Sequence, residues 1–338
     1  IAKKTWISEG KAKVRYLDTS EMRIRALYKL LKNRQFDLVY LNSFFSIFSI
    51  KILLLYRFGF LPRKPIVLAP RGEFSPGALA LKKLKKNIYI NISNIIGLYR
   101  GIVWQASSKY EMKEIITKLR KIVKREKPEI YIASNLPPKR LCHQSQERSA
   151  LKQRGEAKII FLSRIHRMKN LDFALRLLKE VNGKVEFDIF GPIVDKSYWQ
   201  ECGDQIKTMP QNISVVHKGI VYPDQVSEIF SRYHLFLFPT RGENFAHVIL
   251  EALHSGCLVL TSDKTPWRYL EEAKVGWDEP LDKPEHFTRA LHRLIAMNNI
   301  NFQEYSKKAH DYAQKFAQNP SLLKDNRDLL LRALRAKE

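Results

Sequence analysis

The stretch from Leu235 to Leu260 narrows the fold of this chain more than any other. It reads Leu-Phe-Leu-Phe-Pro-Thr-Arg-Gly-Glu-Asn-Phe-Ala-His-Val-Ile-Leu-Glu-Ala-Leu-His-Ser-Gly-Cys-Leu-Val-Leu. The apolar run Leu235 to Phe238 has the length of a buried strand and ends at Pro239. A short polar turn follows, and the pattern predicts a helix beginning near Glu243 or Asn244. Gly256 stops that helix, and Leu258-Val-Leu opens a second buried strand. Glu243 and Glu251 stand eight positions apart, a little over two helical turns, so a helix from Glu243 points both to one side. At a helix start, free backbone N–H groups and the helix dipole favour an anion. The carboxyl end of a parallel strand is also where open α/β sheets bind nucleotides. Strand, helix and glycine stop occur in any α/β protein, so this pattern alone assigns no ligand.

The rest of the chain repeats the alternation of strand and helix. Its 338 residues suffice for two domains, each with its own core. In the first, Val14 to Leu17, Leu38 to Leu41, Ile66 to Ala69, Ile102 to Gln105 and Ile130 to Ile132 read as strands. Met22 to Asn33, Leu79 to Ile96 and Ser108 to Val123 read as helices between them. In the second, strands fall near Ile159, Phe187, Val215, Leu235 and Leu258. Such alternation implies parallel sheets with right-handed crossovers. The expected division is residues 1–140, a linker over 141–156, residues 157–320, and a basic C-terminal helix over 321–338. The linker reading rests on Pro137-Pro138 and the polar residues after it.

Charge is uneven. Residues 1–140 hold 30 Lys and Arg against 9 Asp and Glu, a net of +21; residues 141–338 hold 29 against 25, a net of +4. Lys82-Lys83-Leu-Lys85-Lys86 and the run Lys118 to Lys127 supply much of the excess. A basic domain is drawn to anionic lipid, to a phosphorylated acceptor or to nucleic acid. Nucleic acid has no helix-turn-helix, zinc or aromatic-stacking signature in support. Cys142, Cys202 and Cys257 show neither metal spacing nor a disulfide framework and suit a reducing compartment. The sequons at Asn91 and Asn212 are then chance matches. Ile47 to Phe60 and Ile88 to Trp104 are apolar but interrupted by polar residues, and read as buried helices or in part a membrane-touching face.

Two further clusters stand at strand ends. Phe161-Leu-Ser-Arg-Ile-His-Arg-Met-Lys-Asn-Leu-Asp is a strand, a basic loop and a helix start. Ala69-Pro-Arg-Gly-Glu-Phe-Ser-Pro-Gly is a shaped turn, with Arg71, Gly72 and Glu73 at the end of one strand beside Leu41-Asn-Ser from its neighbour. The plain alternatives are a solvated basic loop and a structural turn whose Arg71 and Glu73 pair with each other.

Taken together, these segments resemble glycosyltransferase family 4, retaining enzymes that use nucleotide-activated sugars. Glu243, Glu251, Ala252 and Gly256 match its Glu-x7-Glu signature, and the likeness runs over about residues 157 to 280. Phe187-Asp-Ile-Phe-Gly-Pro, Val215-Val-His-Lys-Gly-Ile-Val, Ser262-Asp-Lys-Thr-Pro-Trp and Val275-Gly-Trp fit in order and spacing. The resemblance implies an α/β chain of two facing Rossmann-like domains, the GT-B type, with a cleft between them.

By that likeness Arg164 and Lys169 hold the donor diphosphate, which suits an always-charged fork and a point charge at a helix start. Glu243 contacts the donor sugar and Glu251 the ribose. The backbone of Asn244, Phe245 and Ala246 approaches sugar or phosphate, Gly191 lets backbone near the ligand, and Lys218 lies where a strand passes the base. Arg71, Gly72, Glu73, Asn42 and Ser43 fall on the acceptor side, as in a bacterial subset of the family. Asn42 stands at a place comparable to the family's first-domain His, which has no obvious match.

The implied activity is transfer of a sugar from a nucleotide diphosphate sugar to a cell-envelope glycan or lipid-linked acceptor, with retention. No cofactor and no metal are expected, and no Asp-x-Asp pair occurs. The expected setting is cytoplasmic, peripheral on the inner face of the membrane, with no nucleic acid partner. Family members usually begin with a strand and a Gly-rich loop, and none precedes residue 40. The first domain is therefore expected to be truncated or naturally short. Three alternatives remain open: a catalytically impaired sugar-nucleotide-binding module, a basic nucleic-acid-binding protein and, behind these, a sugar-nucleotide epimerase of similar architecture.

Overall fold

The computed structural model describes residues 5–80, 83–122, 128–138, 141 and 150–335. Cys142, Lys82, residues 123–127 of the Lys118 to Lys127 run, residues 142–149 of the expected linker and the last three residues lie outside the described ones. Two compact units emerge, residues 1–134 with 323–338, and residues 135–322.

The N-terminal unit opens with β1 (Trp6–Glu9) and β2 (Ala12–Arg15), paired antiparallel around Gly10, whose φ of 61° suits a two-residue hairpin turn. This corrects the expectation that Val14 to Leu17 begins the parallel sheet. Ala12–Arg15 alternates apolar and charged residues, and none of the four is buried. It lacks the apolar run needed by a strand covered on both faces. After α1 (Ile24–Lys32) come β3 (Val39–Asn42), α2 (Ile47–Arg57), β4 (Ile66–Ala69), α3 (Pro76–Ala80), α4 (Lys83–Ile95), β5 (Val103–Ala106), α5 (Lys109–Ile122) and β6 (Glu129–Ile132). The sheet order is β3-β4-β5-β6, all parallel. β4 and β5 are wholly buried, which explains the unbroken apolar wording of β4 and leaves Gln105 as the one polar side chain of β5. Phe44 centres an aromatic core, stacked on Tyr99 at 4.4 Å and edge-on to Phe74 at 4.8 Å. α2 buries Ile52, Leu53 and Leu55 against that core. Among the described residues no helix is long and apolar enough to cross a membrane.

The C-terminal unit runs through β7 (Glu156–Leu162), α6 (Leu171–Lys179), β8 (Lys184–Phe190), α7 (Lys196–Lys207), β9 (Ile213–Gly219), α8 (Val226–Ser231), β10 (Leu235–Phe238), α9 (His247–His254), β11 (Leu258–Ser262), β12 (Gly276–Glu279), α10 (Pro284–Ala296) and α11 (Asn299–Ala317). Its parallel sheet has the order β12-β11-β10-β7-β8-β9. From β7 the chain winds outward through β8 and β9; from β10 it winds the other way through β11 and β12. The strand order therefore reverses between β7 and β10. Open α/β sheets bind ligands outside the carboxyl ends of the strands at such a reversal. β12 was not read as a strand from sequence. It is four residues long, and Gly276 lies so close to β11 that a Cβ there would come 2.0 Å from the Val259 carbonyl oxygen. The final helix, α12 (Ser321–Arg335), belongs from Leu323 onward to the N-terminal unit, where Leu329 and Ala333 pack with Val67, Val103 and Ala133.

Candidate functional site

The loops leaving β7 and β10 are laced together by hydrogen bonds that the sequence did not announce. Thr240 Oγ1 donates to the Met168 carbonyl at 3.0 Å, and Arg241 N donates to the same oxygen at 2.9 Å. Asn170 is buried, left-handed at φ 60°, and opens α6 as its N-cap. Its amide donates to the Pro239 carbonyl at 2.9 Å and accepts from Arg241 Nε at 3.0 Å. This lacing brings Lys169 onto Glu243: the ammonium bonds the carboxylate, with only 15% and 13% of the two side chains exposed. Glu243 also lies 2.9 Å from Thr240 Oγ1, whose single proton is shared between this carboxylate and the Met168 carbonyl, and Lys169 lies 5.4 Å from the Phe238 ring centroid. Arg164, in the same β7–α6 loop, is exposed and makes no hydrogen bond or ion pair among the described residues. Lys169 and Glu243 are thus joined at the strand reversal, with Arg164 in the first of its two loops.

Glu243 does not stand on the helix. α9 begins at His247, and Ala246, its N-cap, holds a left-handed φ of 60°. This corrects the expectation of a helix from Glu243 or Asn244. The polar Glu-Asn pair has the wording of a cap, but the ring of Phe245 is buried against Trp267 and Phe316. Trp267 Nε1 donates to the Phe245 carbonyl at 2.5 Å. That tether pulls the chain out of helical conformation for one more turn. The N–H groups of Phe245 and Ala246 make no hydrogen bond among the described residues, and they sit where the helix dipole favours an anion. Glu251 is half-buried one turn into α9; the two carboxylates lie on different elements.

Gly191, at φ 132°, is demanded by the protein itself: a Cβ there would lie 1.9 Å from the Ser163 carbonyl oxygen. Its N–H donates to the Gly219 carbonyl at 2.8 Å, so the ends of β7, β8 and β9 converge on it. Lys218 is half-exposed on β9, with Asp188 at 3.9 Å. Asp188 also accepts from Tyr233 at 2.6 Å. Among the described residues no three His, Cys, Asp or Glu side chains gather as a metal site requires.

In the N-terminal unit, Ser43 and Arg71 both hold left-handed φ, 78° and 56°, at the ends of adjacent strands. Backbone of this kind persists only where its surroundings fix it. Arg71 and Glu73 do not pair. Arg71 donates to Asn42 Oδ1 at 2.8 Å and to the Tyr40 hydroxyl at 2.8 Å. Tyr40 in turn bonds the buried Gln105. Glu73 turns the other way, accepting from Ser43 Oγ at 2.7 Å, Phe45 N at 3.0 Å and Phe44 N, just ahead of α2. The Gly72 N–H is held by buried Glu111 at 2.7 Å, whose other oxygen takes Ser107 N and Oγ. Sequence reasoning missed Glu111, Tyr40 and Gln105. An acid in the first turn after a buried strand was the available signal for Glu111 alone.

Glu114, one turn beyond Glu111, lines a groove of about 530 Å³ with Phe74, Leu79, Asn87 and Tyr110. Its Oε1 is buried with no hydrogen-bond partner. Burial, and then the nearby Glu111 charge, push its carboxyl up to about 7. An acid raised on folding adds stability that is complete below its unfolded value, near 4.5, and is lost as pH rises through about 7. The protein should therefore melt higher at pH 5.5 than at pH 8 by more than Glu114→Gln does. Equal pH dependence of the two melting curves would show that Glu114 is not the source.

A family model, "Glycosyl transferases group 1", matches residues 143–316. An uncharacterized 41.2 kDa protein in the cps region of Klebsiella pneumoniae is 25% identical over 246 residues, 70% of this chain and 63% of that protein. Among solved structures, sucrose-phosphate synthase from Thermosynechococcus elongatus superposes with a TM-score of 0.72 at 12% identity, covering 98% of this chain and 86% of that one. Anabaena HepE in complex with UDP and glucose gives 0.64 at 16% identity, over 91% and 80%. An S. aureus TarM mutant in complex with Fondaparinux, alpha-GlcNAc-glycerol and UDP gives 0.57 at 18%, over 79% and 50%. The chain thus spans half the length of that TarM chain and 63% of the Klebsiella relative. These likenesses show the α/β fold of the GT-B type. With the model matching just over half of its length, the chain belongs to the glycosyl transferases group 1 family.

Proposed function

We propose that the protein transfers a sugar from a nucleotide diphosphate sugar to a glycan or lipid-linked acceptor, with retention of anomeric configuration and without a metal. The observation that carries this reading is the Lys169–Glu243 pair at the strand reversal, with Arg164 in the β7–α6 loop and free N–H groups ahead of α9. A diphosphate accepts from all three kinds of donor, and they stabilise the charge it gains as the glycosidic bond breaks. That set of donors makes a metal dispensable in principle. UDP in the HepE and TarM structures supports a nucleotide donor, and the cps-region relative supports a role in cell-envelope polysaccharide. In this reading Arg71, Gly72, Glu73, Asn42 and Ser43 form the acceptor side, with Glu73 shaping the loop and Arg71 facing outward. The basic N-terminal unit holds the protein on the anionic inner face of the membrane. Transfer measured with and without a chelator, with the product's anomeric proton followed by NMR, tests the reaction. Unchanged rate and the donor's own anomeric configuration are expected; inversion, or loss of activity with the chelator, contradicts it.

The two carboxylates divide their work in this reading, Glu243 on the sugar and Glu251 on the ribose. Glu251→Gln should weaken binding of the bare nucleoside diphosphate. Glu243→Gln should release Lys169 to the phosphates, leaving that binding intact or tighter while turnover falls. Calorimetry with the bare diphosphate separates them, and equal binding defects would refute the division.

A further inference from the structure

α4 carries two apolar faces. Tyr89, Ile90 and buried Ser93 turn towards the core of the N-terminal unit. On the opposite side Leu84, Ile88, Ile92 and Ile95 are 75%, 50%, 53% and 84% exposed. Their spacing, i, i+4, i+8 and i+11, places them on one stripe along the helix. Scattered exposed aliphatics need no explanation, but an aligned row on one helix does. Lys83 and Lys85 flank the stripe at its start, both exposed. Lys86 does not join them: its ammonium donates to the Ala78 carbonyl at 2.5 Å and lies over the Phe45 ring. At the other end Arg57 Nε donates to the Ile96 carbonyl at 2.8 Å, just past the last residue of α4.

We propose that this stripe is a membrane-insertion face: α4 lies in the plane of an anionic bilayer with Leu84, Ile88, Ile92 and Ile95 among the acyl chains. The inference rests on the membrane reading above and adds to it where, and by what force, the protein is held. Thirteen residues span about 20 Å, too short to cross a bilayer but suited to lying on it. The occupant follows from charge. Residues 1–140 carry a net of +21, which an anionic lipid surface complements and which a second copy of the same unit would repel. Basic flanks and an aliphatic stripe together describe an interfacial helix.

Two forces predict two salt dependences. The test is co-sedimentation with vesicles of phosphatidylglycerol and phosphatidylethanolamine, at low salt and at about 1 M salt, where the screening length is about 3 Å. The parent should keep part of its binding at high salt. The double variant Ile88→Ser, Ile92→Ser alters only exposed side chains and should melt like the parent. It should lose the salt-resistant part, a fall of roughly tenfold or more, while low-salt binding persists. Lys83→Glu with Lys85→Glu should show the reverse, losing low-salt attraction first. If the serine variant binds like the parent at both salts, the stripe is not inserted, although the membrane reading stands. If the parent fails to bind at either salt, both fall. A parent dimer in sedimentation velocity that the serine variant converts to monomer would reassign the stripe to a subunit interface.

Discussion

Replacing Lys169 or Arg164 with Ala is expected to lower sugar transfer by roughly 10- to 150-fold each, the equivalent of a charge-assisted contact of about 1.5–3 kcal/mol. Negative charge grows on the diphosphate as the sugar leaves, so the loss should appear in kcat as well as in donor affinity. The two variants should differ in stability. Arg164 is exposed and makes no ion pair among the described residues, so its removal should leave the melting temperature unchanged. Lys169 neutralises a largely buried Glu243. Its loss strands a carboxylate and should lower the melting temperature too, because removing one partner of a buried pair is costly. Parent-like transfer by both variants would remove these cations from the mechanism.

The second large effect concerns Gly191. Gly191→Ala is expected to destabilise the C-terminal unit by about 3 kcal/mol or more, combining left-half φ strain with a collision against backbone. For a unit of this size that is roughly a 6–12 °C fall in melting temperature. The collision is with the Ser163 carbonyl oxygen, 1.9 Å from the added Cβ, and Ser163 precedes Arg164. Any relaxation should therefore also displace the phosphate loop. Gly219→Ala is the control: φ is +85° but a Cβ there meets nothing within 4 Å, so only the strain remains. Equal melting shifts for the two variants would show that backbone crowding at Gly191 is not the cause.

The wording of the chain made its fully buried strands legible. Ile66 to Ala69 and Leu235 to Phe238 are unbroken apolar runs between turn residues, and each appears as a strand with those limits. Two strands were not placed correctly: β2, read as the start of the parallel sheet, and β12, not read at all. The alternation in Ala12–Arg15 fits a hairpin arm and a sheet member alike, and Gly276–Glu279 is recognised only by the strand beside it. The start of α9 was misplaced because the tether that delays it comes from Trp267, 22 residues away in sequence.

The same limit applies to the site. Lys169 and Glu243 could each be singled out locally, but their pairing depends on Asn170 and Thr240 bridging two loops. Nor does Pro-Arg-Gly-Glu reveal from its letters that Arg71 turns to Asn42 while Glu73 turns to the chain ahead of α2. Both turns are fixed by strand neighbours, and a single sequence does not display those.

The C-terminal unit is expected to bind a nucleotide diphosphate at Arg164, Lys169 and the start of α9. Calorimetric titration of the purified protein with UDP, GDP, ADP, CDP and dTDP tests it most directly. Saturable one-to-one binding of at least one of them is expected, weakened by roughly tenfold or more in both Arg164→Ala and Lys169→Ala. Absence of binding by all five, or unchanged affinity in both variants, would contradict it.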